Sequence, residues 1–529
     1  MVSAPHPEAA QIGLDILKAG GNAMDAAIAV QFALAVCLPI AGNIGGGGFL
    51  VYWDQDSLQT LALDYRETAP ANAHRDMYLN AKQEVIPKLS TEGILSVGVP
   101  GTVDGMYEAF LRKSKLRDWN RLVQPAIELA RDGFRITAMQ AKYLNDHQKK
   151  FSEINDWRTS FINKAGWKEG DLLVQSDLAQ VLAHIRDDGR AGFYEGPISD
   201  LIIQEMKRRN GLITADDLRN YRSVWREPIR FDFRGYTFHS MPPPSSGGIA
   251  LAQMFGLFDR LAPKTLEFQN VAYIHLLSEI ERRAYADRNT HLGDPDFVKI
   301  PTESLLGKQH LDQMAASFDP QRATPSEQIH AWQGPESEET THYNIVDAWG
   351  NSVAVTTTLN GAYGSKVVVR NAGFFLNNEM DDFSIKAGEP NLYGLIGGKS
   401  NEIQPNKRML SSMTPTLVTK DQRCILALGT PGGSTIITSV FQVLLNVLYF
   451  GQDPYEAVTN PRFHHQWYPD AIQMETRLYQ SPVVERLQKM GHQVFDRGFI
   501  GRMECIFRFP DGSLGGGADF RGDNGLLGY

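Results

Sequence analysis

The stretch EETTHYNIVD, residues 338–347, sets Thr340, Thr341 and His342 where an acidic, irregular segment turns into a strand-like alternation. A threonine hydroxyl is a poor nucleophile without an adjacent base, and the simplest base is the residue's own α-amine, with an ordinary pKa of about 8. That chemistry requires Thr340 to be a chain terminus. The bond from Glu339 must then break, leaving 339 of the 529 residues in one piece and 190 in the other. A polar segment that can leave, running into a strand that fixes the hydroxyl, supplies both parts of such a site. Taken alone, Thr-Thr at a strand start equally fits an ordinary β-branched edge. His342 falls on the same strand face as Thr340. It reads better as a packed, hydrogen-bonded ring than as a base, because the terminal amine fills the base role.

Acyl chemistry at Thr340 would need donors for an oxyanion. Gly432 and Gly433 in TPGGSTIIT lie where a loop enters a helix, so their N–H groups are unpaired by that helix. A plain Pro-Gly-Gly turn is the other reading. Arg66 in YRETAP could be a fixed cation or half of a surface pair with Glu67, and Asp382 in NNEMDDF an acceptor or a turn acid. GNIGGGGFLVYW, residues 42–53, runs helix, glycines, strand with no following Lys. That order argues against a phosphate cradle and for glycines that permit tight backbone approach.

These residues need a large scaffold. At 42% hydrophobic and 21% charged residues the composition is that of a globular protein. The formal charge of -9, from 52 basic and 61 acidic residues, supplies no basic excess for nucleic acid. Cys37, Cys424 and Cys505 are too few and too scattered for a disulfide framework or a metal cluster. The apolar stretches 26–40 and 436–450 fall short of the roughly 20 residues of a spanning helix, and the opening MVSAPHPEAAQIG shows no signal-peptide pattern.

Periodicity predicts a helix over 6–22, a buried helix ending at Pro39, and mainly helical sequence from about 100 to 310, with a Thr cap at TADDLRNY. Residues 307–339 read as polar, irregular and exposed. A hairpin around Trp349-Gly350-Asn351 follows, then strands in SKVVVRNAGFFL, GHQVFDRG and MECIFRF and a helix from near Ser434. Helices concentrate early and strands late.

With these motifs in place, TTHYNIVDAWGNSVAVTTTLN closely resembles the start of the small subunit of γ-glutamyltransferases, the γ-glutamyltranspeptidase family of N-terminal nucleophile hydrolases. HPEAAQIGLDILKAGGNAMDAAIA, GNIGGGGF, YRETAP, GVPGTVDG, PPPSSGGIAL, NNEMDDF, MLSSMTPT and GTPGGSTIIT agree in order along nearly the whole chain. The resemblance implies an α+β fold, a four-layer αββα sandwich. It implies a precursor whose residues 1–339 and 340–529 become a large and a small subunit, intertwined in one domain and associated as a heterodimer. Thr340 is then the agent of cleavage after Glu339 and the nucleophile that carries a γ-glutamyl ester. Thr358 bonds the nucleophile region, and Gly432 and Gly433 form the oxyanion hole.

By the same resemblance Arg66, Ser411 and Ser412 receive the substrate α-carboxylate at one end of a pocket. Asp382, Glu379 and Asn360 receive its α-ammonium. Tyr393, in the loop KAGEPNLYGLIGGKSNEIQPNKRM, is the lid residue of bacterial members. Phe520 stands where the family commonly has Pro. The expected partners are glutathione and other γ-glutamyl donors, with water or an amino acid or peptide as acceptor. No metal or organic cofactor is needed, and the expected location is periplasmic or extracellular. The nearest rival is an N-terminal nucleophile amidase acting on another acyl group, such as a β-lactam side chain.

Overall fold

The computed structural model describes residues 1–329, 340–386, 391–392, 394–395 and 397–529. Two antiparallel sheets form its centre. In the larger, seven strands lie side by side in the order Gly525–Leu527, Val2–Ala4, Thr341–Val346, Ser352–Thr358, Gly47–Asp54, Gln59–Asp64 and Val224–Arg226. The smaller has six, in the order Leu514–Ala518, Glu504–Arg508, Arg423–Gly429, Thr416–Lys420, Tyr236–Ser240 and Ile229–Phe233. The expected hairpin is present, with Thr341 opposite Thr357 and Val346 opposite Ser352.

The central strands are apolar on both faces because both faces are covered. In the Gly47–Asp54 strand, Leu50 and Tyr52 pack into one core, while Phe49, Val51 and Trp53 pack into the other, toward the second sheet. Outside the larger sheet lies the helix Ala23–Cys37, buried at every residue as its unbroken apolar run requires. Its start is fixed by a capping box: Asn22 accepts from the Asp25 amide and the Asp25 carboxylate accepts from that of Asn22. Outside the smaller sheet lie Gly247–Leu261 and Thr435–Leu448, backed by Val271–His291. The layers are therefore helix, sheet, sheet, helix, the expected αββα sandwich.

The glycines of GNIGGGGF do what their spacing suggested. A Cβ on Gly46 would meet the Thr358 carbonyl oxygen at 2.1 Å, and one on Gly48 that of Thr356 at 2.4 Å. Three expectations fail locally. Lys308–Ala316 is a helix inside the stretch read as irregular, and it forms because Leu311 packs over Gly256. Strands at Val224–Arg226, Ile229–Phe233 and Tyr236–Ser240 interrupt the stretch read as helical. The last two pair through Arg234 and Gly235, whose φ angles of +49° and +83° make a tight hairpin turn. SKVVVRNAGFFL forms only the single bridge Val368–Phe375, so its β-branched residues report burial rather than a ladder. Among the described residues no helix is long and apolar enough to cross a membrane.

Candidate active site

Thr340 sits at the head of its strand, 4% exposed, on a small pocket. The same walls hold Thr358, Asn360, Arg66, Glu379, Asp382, Ser411, Ser412 and Gly433, so residues scattered over more than 360 positions converge on one hydroxyl. Glu339 and Tyr393 lie outside the described residues.

The hairpin register places the nucleophile candidate. Thr358 ends the strand beside it, and the two hydroxyl oxygens are 3.4 Å apart. The Asn360 amide donates to Thr358 Oγ1 at 2.7 Å. Asn360 achieves this with a φ of +73°, a left-handed conformation that Asn tolerates better than most residues. Its side-chain amide donates to the Asn378 carbonyl at 3.0 Å.

Across the cavity, Gly432 and Gly433 have φ angles of +137° and +54°, available to glycine, and lead into the helix Thr435–Leu448. Neither amide has an acceptor among the described residues. Two N–H groups at a helix entry are suited to developing negative charge.

His342 is a packed, hydrogen-bonded ring. Its Nδ1 lies 2.8 Å from the Thr356 hydroxyl and its Nε2 3.0 Å from Asn344 Oδ1. Burial pushes its pKa down to about 3, so the ring is neutral.

Arg66 is buried rather than on the surface. Its Nη1 lies 2.5 Å from Glu379 and 3.8 Å from Glu67, and its Nη2 bonds Asp382. The cation and the acceptors expected at opposite ends of the pocket are thus in direct contact. Three carboxyl groups surround one guanidinium, and burial raises the pKa of each: Glu67 to about 8, Glu379 well above its usual range, Asp382 upward. Burial alone would lower Arg66, but Glu379, Asp382 and Glu67 outweigh it and hold the guanidinium charged.

Arg288, with Leu395, Met413 and Ile436, completes the wall. Sequence reasoning missed Arg288 because it is one of several charges in ERRAYADR, where periodicity cannot select among them. A second group of ligand-type side chains, His275, Glu279 and His492, lies elsewhere. Both ring nitrogens of His275 are engaged, by His492 at 2.7 Å and the Asp319 carbonyl at 2.8 Å, and Glu279 is neutralised by Arg282 and Arg283.

An αββα sandwich with Thr340 at the head of a central strand, sharing a pocket with Gly433, is the architecture of the N-terminal nucleophile hydrolase class. The whole chain superposes on a cephalosporin acylase from Bacillus halodurans with a TM-score of 0.86 at 26% identity, covering 100% of this chain and 96% of that one. The γ-glutamyltranspeptidase of Helicobacter pylori is 41% identical with a TM-score of 0.60, over 61% of this chain and 93% of that one. The glutathione hydrolase proenzyme of Escherichia coli strain K12 is 44% identical over 100% of this chain and 92% of its own length. The family model described as Gamma-glutamyltranspeptidase matches residues 9–529. The chain belongs to the gamma-glutamyltranspeptidase family and is an enzyme of that family.

Proposed function

We propose that the chain is a γ-glutamyltransferase and glutathione hydrolase, made as a precursor that cleaves itself before Thr340. The observation that carries this reading is the single cavity joining the Thr340 hydroxyl to a buried guanidinium–carboxylate set. A small acyl group that ends in an amino acid head matches both.

In maturation the Thr340 oxygen attacks the Glu339 carbonyl and the acyl group shifts from nitrogen to oxygen, which frees the Thr340 amine; water then hydrolyses the ester, releasing the Glu339 carboxylate and restoring the Thr340 hydroxyl. That amine then takes the hydroxyl proton while Thr340 Oγ1 attacks the γ-carbonyl of the donor. Thr358 steadies the oxygen. The Gly432 and Gly433 amides receive the oxyanion; their fixed orientation means no reorganisation as charge develops. The leaving amine departs with the proton, and water or an acceptor amine releases the γ-glutamyl group. Arg66, Ser411 and Ser412 bind the α-carboxylate, and Glu379, Asp382 and Asn360 the α-ammonium. Tyr393 is assigned the lid. Solved chains of two relatives span 61% and 62% of this chain and 93% and 96% of their own length, which fits a separate piece the size of residues 1–339. A location outside the cytoplasm, and acceptors that are amino acids or peptides, rest on the resemblance alone.

The first test is the intact mass of the purified protein with a reading of any new N-terminus. Two pieces, the smaller beginning Thr-Thr-His, support the scheme; a stable 529-residue chain overturns it. Thr340→Ala abolishes cleavage, and Thr340→Ser keeps slow cleavage.

The likeness to a cephalosporin acylase favours a second reading, an amidase for another acyl group. An acyl group without the amino acid head would leave Arg66 and its carboxyl groups without a substrate partner. Competition by glutamate but not glutarate selects the first reading.

A further inference from the structure

We propose that Arg288 is a positioning residue for the carboxylate end of the pocket, holding the Ser412 hydroxyl directly and the Ser411 backbone through Ser246, and supplying a positive charge that no carboxylate among the described residues pairs with. The proposal rests on the γ-glutamyl reading of the cavity.

Arg288 stands one turn before the end of the Val271–His291 helix and is 4% exposed. Its Nη2 donates to Ser412 Oγ at 3.0 Å, its Nε to Ser246 Oγ at 3.1 Å and its Nη1 to Asn289 Oδ1 at 2.9 Å. Every partner is neutral, and no carboxylate among the described residues forms an ion pair with it. Burial draws its pKa down to about 10, which leaves it a cation at neutral pH. A buried cation without a counterion is costly unless a ligand completes it.

A guanidinium can only donate. Ser412 Oγ is therefore an acceptor toward Arg288, and its own hydrogen has no acceptor among the described residues. Ser412 lines the cavity, so that hydrogen is available to a ligand there, polarised by the charge behind it. The second serine is reached through Ser246, whose hydroxyl and amide both donate to the Ser411 carbonyl, at 2.7 and 2.8 Å. The Ser411 amide donates back to the Pro244 carbonyl at 2.9 Å. One guanidinium thus ties PPPSSGG and LSSMTP together and orients Ser411 and Ser412.

Arg66 contrasts with it. Three carboxyl groups crowd Arg66, so a substrate carboxylate that met Arg66 alone would enter a region of surplus acid. Arg288 lies close enough to act on Asp382 and shifts the local balance toward the anion.

The test compares two anilides in the matured enzyme: γ-glutamyl, which carries the α-carboxylate, and 4-aminobutyryl, which lacks only that group. Wild-type turnover of the first is measured beforehand, so failure of the γ-glutamyl reading appears there and not in the variants. Arg288→Gln is expected to raise KM for the γ-glutamyl anilide about tenfold or more, the loss of one charged hydrogen bond, with kcat nearly unchanged. Its kcat/KM for the 4-aminobutyryl anilide stays within about twofold of wild type, and Arg288→Lys restores part of the difference. Equal losses on both anilides, or none on either, overturn the proposal. If both Arg288 variants fail to mature, Ser246→Ala, which keeps the charge, decides. An unchanged KM ratio in that variant assigns Arg288 to folding alone and overturns the proposal, whereas a raised ratio supports it.

Discussion

At the scale of single residues, the site stores protons. Glu67 has no hydrogen-bond partner for either carboxyl oxygen among the described residues, and burial pushes its pKa up to about 8. A group whose folded pKa is raised favours the folded state at low pH and loses that contribution as pH rises through the folded value. The Glu67 contribution to the stability of the substrate-free protein is therefore lost between about pH 4.5 and 8, and Glu67→Gln should flatten the fall on the alkaline side of that window. Thermal melts across that range check this; an unaltered slope in the variant would place the proton elsewhere. Glu504, also raised to about 8 by burial, keeps part of the slope in the variant. The family resemblance, not residue type or spacing, singled out Thr340, Thr358, Ser411, Ser412, Arg66, Glu379 and Asp382, and the structure brings them to one pocket. Their geometry was not legible in the sequence. Arg66 and Asp382 are 316 positions apart, and no local pattern says that they touch.

At the scale of elements, close approach rather than propensity fixes the site. His342 projects from its strand onto Gly429 of the facing sheet, and a Cβ on Gly429 would lie 2.3 Å from the imidazole. Gly429→Ala must push His342 and the Thr340 strand away from the Gly432–Gly433 loop. Overpacking of this kind costs about 1–3 kcal/mol, so chemical denaturation should show that loss, and turnover should fall with it; full stability in the variant would mean that the sheets slide freely. The hairpin, the capped helices and the buried helix at 23–37 were readable because each is specified by neighbours a few residues away. The Lys308–Ala316 helix was not, since its one deeply buried side chain, Leu311, takes its meaning from Gly256 on another helix. The strands around Arg234-Gly235 carried a signal, the alternation in IRFDF and YTFHS on either side of a turn, that the surrounding helical periodicity outweighed.

At the scale of the whole molecule, burial of histidines sets an acid limit. Burial lowers His342 and His492 to about 3 and His6, His239 and His465 to about 4. Groups with depressed folded pKa values contribute stability above their ordinary value of about 6.5 and lose it as pH falls toward the folded one. Together with the buried glutamates this predicts a stability maximum near about pH 6, and a protein that unfolds cooperatively in acid; a flat profile from pH 6.5 to 3 would contradict it. The larger sheet also predicts the fate of the cleaved pieces. Val2–Ala4 is inserted between Gly525–Leu527 and Thr341–Val346, so a strand from residues 1–339 is hydrogen-bonded on both sides by residues 340–529. The pieces should elute as one particle under native conditions and separate only in denaturant. This has a thermodynamic consequence. An uncleaved chain unfolds in a unimolecular step, and its melting temperature is indifferent to dilution. Once the bond is cut, unfolding releases two molecules, and mass action ties the midpoint to their concentration. Maturation thus exchanges a concentration-independent stability for one that dilution erodes.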